Sequence, residues 1–173
     1  MKYDPSKHHR RSIRLKDYDY RQAGAYFVTI VVRNHKCLLG DVVDGEMRIN
    51  GFGKMVQKCW DELSVHYSNV ELDAFVVMPN HVHGIVVIVE RRGEVTSPLQ
   101  LHDQPTLGQI IGYFKYQSTK LINELRGTQG APVWQRNYFE HIIRNDHDFE
   151  RIREYIAYNP VGWQTDDENP NHL

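Results

Sequence analysis

The sequence predicts an α+β fold: an antiparallel β-sheet with helices packed on it. Three observations carry that prediction. Short β-branched and aromatic runs recur, "AYFVTIVVRN" at 25–34, "VELDAFVVM" at 70–78 and "HVHGIVVIV" at 81–89, each the length of one strand. Two longer stretches, 51–68 and 106–125, repeat apolar residues at helical spacing instead. The order strand, helix, strand pair, helix, short strand, helix is satisfied by a sheet with its helices on one face.

Taken in order, residues 1–23 are polar and read as a loose arm. Within it "KHHRRSIRLK", 7–16, is basic and free of acid. Such a run is either a solvated tail or a nucleic-acid-binding arm, in which Arg10, Arg11 and Arg14 would meet phosphates. The 25–34 run is the first strand. "CLLGDVVDGEMRIN", 37–50, carries the turn pair Asp44-Gly45 and reads as a loop or short hairpin. In "GFGKMVQKCWDELSVHYS", 51–68, Met55, Cys59, Leu63 and His66 share a helical stripe flanked by Val56 and Trp60. Pro79-Asn80 is a turn dipeptide, so the strands on either side of it pair antiparallel. Residues 90–105 are polar with Pro and Gly and read as a loop. Thr106 caps a helix running to about Leu125, with Leu107, Ile110, Ile111, Phe114 and Leu121 on its apolar side. After a loop at 126–132, "VWQRNYFEHIIR", 133–144, reads as extended. Asn145 or Asp146 caps a last helix that Pro160 ends, with Phe149, Ile152 and Ile156 as its buried stripe.

A chain of 173 residues with 40% hydrophobic content suits one domain with a real core. The formal net charge of −1 gives no global signal for a nucleic-acid partner, which throws weight onto local charge. Cys37 and Cys59 fit no ligand spacing, and neither a membrane-length apolar run nor an apolar signal core is visible. The expectation is a reduced, cytoplasmic protein.

The chemistry begins in "VVMPNHVHGIVVIV", 76–89. Side chains alternate along a strand, so His81 and His83 face one side and Val82 the other. Two imidazoles about 6–7 Å apart along a rigid strand can share a divalent metal, though on spacing alone two harmless histidines at a strand end are the commoner case. A pair is also an incomplete site and needs a further ligand. The last helix offers one. Tyr155 and Asn159 stand at i and i+4 on one helical face. The Tyr155 ring would be half-buried beside the apolar stripe with its hydroxyl reaching the sheet, and the Asn159 amide oxygen can bind a hard metal.

"MPNHVHGIVVI", followed some fifty residues later by "VWQRNYFEHIIRNDHDFERIREYIAYNPV", resembles the single-tyrosine HUH transposases, and within them the REP-associated tyrosine transposases. The resemblance spans roughly residues 25–163. It implies a ferredoxin-like HUH endonuclease fold in residues 24–163, with the arm before it and a short acidic tail, 164–173, after it. It implies that His81, His83 and Asn159 bind magnesium or manganese and that Tyr155 is the nucleophile. The activity implied is cutting and rejoining of hairpin-forming single-stranded DNA through a 5′-phosphotyrosine, by a monomer or homodimer with no membrane partner. Tyr113, Tyr116 and Tyr158 are rival nucleophiles, but only Tyr155 has the Asn-Pro context. Lys115, Lys120, Trp134, Arg136, His141 and Arg144 are further candidates for DNA contact, the tryptophan by stacking on a base. Many relatives in this branch carry a longer segment after the Asn-Pro that reads DNA near the hairpin. Here it is short and acidic, and the basic arm could take over part of that task. Rival readings are a dimeric insertion-sequence transposase of the same chemistry, a non-catalytic nucleic-acid-binding relative, and a hydrolase of small phosphate esters.

Overall fold

The computed structural model describes residues 18–90 and 104–171. Arg10, Arg11 and Arg14 lie outside them, as does most of the 90–105 segment. Strand β1 (Gly24–Val31) is followed by the hairpin β2 (Gly40–Val43) and β3 (Glu46–Ile49). Its turn residues Asp44 and Gly45 both have positive φ, 53° and 78°, as a tight hairpin turn with right-handed strand twist requires. Helices α1 (Gly51–Asp61) and α2 (Leu63–His66) lead to β4 (Val70–Val77) and β5 (His81–Ile88). Helix α3 (Leu107–Arg126), strand β6 (Phe139–Ile143) and helix α4 (Asp146–Tyr158) complete the chain of major elements.

Four strands form one fully antiparallel sheet in the order β4-β5-β1-β6. With α1 and α3 as crossovers this is the ferredoxin-like βαββαβ arrangement. Both crossover helices cover one face, where Tyr26, Val28, Ile30, Val82, Val86, Trp60, Phe114 and Ile122 form the large core. The expectation of helices on one face fails for the last of them. Helix α4 lies on the opposite face, packing Ile152 and Ile156 against Phe27, Ile85 and Ile143. Strand β1 is central and buried on both sides, so it reads as a continuous apolar run and hides the existence of a second covered face.

Local chemistry sets the elements. The Asn50 side chain accepts from the amides of Phe52 and Gly53 and starts α1. The helix expected over 51–68 is broken near Glu62, whose ψ of −11° tightens the turn there. Thr106 and Gln109 make a capping box for α3, and Gly127 ends it with φ 66°. The buried stripe of α3 continues through Ser118 and Ile122, leaving Leu121 only partly covered. The arm reading extends too far at its end: Tyr20 is buried in the large core, and its carbonyl accepts from the Leu107 amide.

Gly84 has a packing reason. A Cβ there would stand 2.4 Å from the Trp60 ring and 2.9 Å from Phe75. Those two rings stack, 4.4 Å between centroids, against the strand on the core side. The histidines on the other side of β5 therefore ride on a strand clamped from behind.

Candidate active site

His81 and His83 project from β5 toward α4 and are buried. Each has its second ring nitrogen fixed. Asn80 donates its amide nitrogen to two carbonyls, His35 at 3.2 Å and Glu168 at 2.6 Å. Its amide oxygen must therefore face His81, and accepts from Nδ1 at 2.8 Å. His83 Nδ1 pairs with Thr29 Oγ1 at 2.9 Å. With Nδ1 protonated, as the Asn80 oxygen requires of His81 and the Thr29 hydroxyl allows for His83, both Nε2 atoms present lone pairs to one point, 3.0 Å apart. Two ligands at right angles on an octahedral ion, each about 2.1 Å from it, would be separated by about 3.0 Å. Burial, the larger cause, pushes His81 down to about 4 against the opposing pull of the Asp166 carboxylate. It holds His83 well below the usual imidazole range, with His81 adding to the effect. Both rings are thus neutral at pH 7 and free to coordinate.

Helix α4 brings up the rest. Tyr155 Oη lies 3.3 Å from His83 Nε2, and its ring packs edge-on against Phe27. The residue is 47% exposed and lines a groove. Burial raises the phenol's pKa and Asp166 raises it further, while Asn159 works in the other direction. Asn159 is buried at the helix end and donates to Asp166 Oδ2 at 3.3 Å. Its Oδ1 is buried and makes no hydrogen bond. Asp166 was not singled out in the sequence. Its carboxylate and the His81 and His83 nitrogens lie within 4.8 Å of one another. Two converging lone pairs, a carboxylate and an orphaned amide oxygen fit a divalent cation of the manganese or magnesium kind.

The helix itself is positioned by a pair the sequence reading passed over. A register shift in β4 between Leu72 and Phe75 frees Asp73. Arg153 Nε donates to Asp73 Oδ1 at 2.6 Å, and the second guanidinium nitrogen reaches Oδ2. The Arg153 hydrogen bonds hold the Asp73 carboxyl below its ordinary value.

A groove of about 740 Å³ opens over Tyr155, between α4 and β6. His141 lines it, bonded through Nε2 to Asp148 at 2.7 Å. The other candidate contacts do not gather there. Trp134 is 6% exposed, packs against Phe114 and donates to Ser118 Oγ at 2.9 Å, so its ring has no face to offer a base. Lys115 Nζ is taken up by the carbonyls of Gln135 (2.5 Å), Arg136 (3.1 Å) and Asn137 (3.4 Å), and burial lowers it to about 8. It holds the loop before β6 instead of bordering a DNA groove. Lys120 is on the same helix, across the sheet from Tyr155. Arg136 lines a separate cleft with Arg33 and His35, and Arg144 is exposed past the end of β6. The rivals Tyr113 and Tyr116 belong to α3, on the face opposite the histidines, while Tyr158 lies in the groove.

No family model matches the chain. An uncharacterized protein of Haemophilus influenzae is 41% identical, over 95% of this chain and 96% of its own. A putative REP-associated tyrosine transposase of the same organism is 28% identical, over 83% of this chain and 73% of its own. A REP-associated tyrosine transposase of Escherichia coli is 28% identical over 54% of this chain and 47% of its own. A solved REP-associated tyrosine transposase bound to a REP hairpin shares the fold, with a TM-score of 0.54 at 23% identity, over 87% of this chain and 73% of that one. In sequence the chain is thus similar to REP-associated tyrosine transposases, and it shares the fold of one of them.

Proposed function

We propose that the chain is a metal-dependent single-strand DNA endonuclease and strand transferase, acting on hairpin-forming, REP-like DNA through Tyr155. The observation that carries the reading is the hydroxyl of Tyr155, 3.3 Å from His83 Nε2 and open to the groove. His81, His83, Asn159 and Asp166 would hold magnesium or manganese, which when bound supplies positive charge to a phosphate oxygen and to the phenol beside it. Burial and Asp166 keep that phenol protonated in the metal-free site, so the residues present leave its activation to a cation. The Tyr155 oxygen attacks phosphorus as its proton departs. The bond from phosphorus to the 3′ oxygen breaks, and that oxygen takes up a proton. The product is a tyrosine ester of the DNA 5′ end, whose phosphodiester energy lets another 3′-OH reverse the step. In this reading residues 24–163 form the nuclease domain, completed by Asp166 from the acidic segment that follows, and the basic arm adds phosphate contacts. The names of the relatives and the REP hairpin bound in the solved neighbour support the choice of DNA.

The test is incubation of the protein with end-labelled hairpin single strands and manganese, followed by a denaturing gel. A protein–DNA adduct is expected from the wild type and none from Tyr155→Phe. An adduct of equal yield from both removes Tyr155 from the role.

A further inference from the structure

The groove continues past the metal-binding residues, and its far half contains groups that the cleavage chemistry does not use. On the α4 face of the sheet the register places His83, Thr29 and Phe139 in one row across β5, β1 and β6. Ile85, Phe27 and His141 form the next row. Phe139 is an edge-strand phenylalanine, 55% exposed, whose ring meets Phe27 edge-on at 6.3 Å. Beyond it one carboxylate holds two nitrogen-bearing side chains: Asp148 Oδ2 bonds His141 at 2.7 Å and Oδ1 accepts from Arg151 at 2.6 Å. Asp148 is itself fixed, its amide donating to the Asn145 cap at 2.8 Å. Arg151 stands at i−4 from Tyr155, so its guanidinium and the Tyr155 ring share one wall of the groove.

We infer that Phe139, Arg151 and His141 form a subsite for the nucleotide next to the scissile phosphate: Phe139 stacks on its base, and Arg151 with His141 binds its phosphate. The inference rests on the DNA reading above and deepens it. Each part has a physical reason. An exposed aromatic ring beside a guanidinium and a further ring nitrogen is the combination that retains unpaired nucleotides, the ring taking any base and the nitrogen groups the backbone. Neighbouring strands are about 4.8 Å apart and alternate residues about 6.8 Å apart along a strand. His141, two strands from His83 and one row on, is therefore too far to act at the phosphate Tyr155 attacks, but well placed for the next one. Charge orders the groove in the same direction. Asp166, Asp167 and Glu168 also line it, but Glu168 is pinned to His35 and Asn80, at the His81 end. An anionic strand leaving the metal site is repelled from that end and attracted toward Arg151.

The experiment measures binding apart from cleavage. Fluorescein-labelled oligo-dT is titrated with the full chain in EDTA and followed by anisotropy, and adduct formation on hairpin DNA with manganese is scored in parallel. Phe139→Leu, which keeps apolar bulk at an exposed position, should weaken oligo-dT binding about five- to a hundredfold, while Phe139→Trp retains it. Arg151→Gln should reduce the slope of log affinity against log salt by about 0.7, the loss of one single-strand phosphate contact. Wild-type binding from Phe139→Leu, or an unchanged salt slope from Arg151→Gln, overturns the subsite and leaves the nuclease reading standing if the adduct forms. A wild type that neither binds oligo-dT nor forms an adduct overturns the nuclease reading itself.

Discussion

The two faces of the sheet are built to different rules. The face under α1 and α3 is filled by Tyr26, Val28, Ile30, Trp60 and Phe114, with Ser118 satisfied by backbone and by Trp134. The face under α4 has a smaller apolar cluster and gives the remaining area to His81, His83, Thr29 and a groove. Strand alternation lets one strand serve both: Val82 and Val86 of β5 secure the fold, while His81 and His83 of the same strand carry candidate chemistry. Stability and function are thereby separable, and substitutions can be chosen to test the separation.

The largest contrast is between Tyr155→Phe and Phe114→Ala. The first should leave unfolding free energy within about 0.5 kcal/mol of wild type while abolishing the adduct. The second should cost about 3–5 kcal/mol in urea unfolding and leave the adduct rate of the folded fraction unchanged. Loss of adduct from both at equal folded fraction would collapse the distinction. Next comes pH. The fold holds His81 and His83 neutral, whereas the unfolded chain protonates them near 6.5. Protons therefore favour unfolding: stability is full above about 6.5 and falls as pH drops toward the lowered His81 value of about 4. In a chelator, replacing both histidines with Gln should flatten the denaturation curve in that window, and an unaltered slope would assign it to other groups. A smaller effect is expected from Asp73→Asn. Its pair with Arg153 is partly exposed, so the stability loss should stay below about 1 kcal/mol. The adduct rate should nevertheless fall severalfold, because the pair aims α4; equal stability and equal rate would deny it that role. Smallest of all, Lys120→Ala should change neither adduct yield nor oligo-dT affinity, since Lys120 is across the sheet from the groove.

Periodicity made much of this legible in the sequence. Alternation put His81 and His83 on one face, helical spacing put Tyr155 and Asn159 on one face, and cap and turn residues marked the starts of α3 and α4 and the 44–45 turn. The side of the sheet that α4 would take was not legible, because a strand buried on both faces loses its alternation. Asp166 was hidden for another reason: a carboxylate in an acidic, polar stretch past a helix end looks like solvated tail, and only the return of that stretch to Asn80 and Asn159 makes it part of the site. Trp134 failed oppositely. Its indole N–H has a partner in Ser118, sixteen residues away, and no local pattern announces a pairing at that range.

The sheet order carries a consequence in time. Central β1 is made early, yet its second neighbour, β6, and the residues facing His83 are among the last described segments to be synthesised. A nascent chain on the ribosome can hold its histidine pair while still lacking Tyr155, Asn159 and Asp166. The proposed site is thus incomplete until α4 and the segment after it have been made and fold back onto β1 and β5.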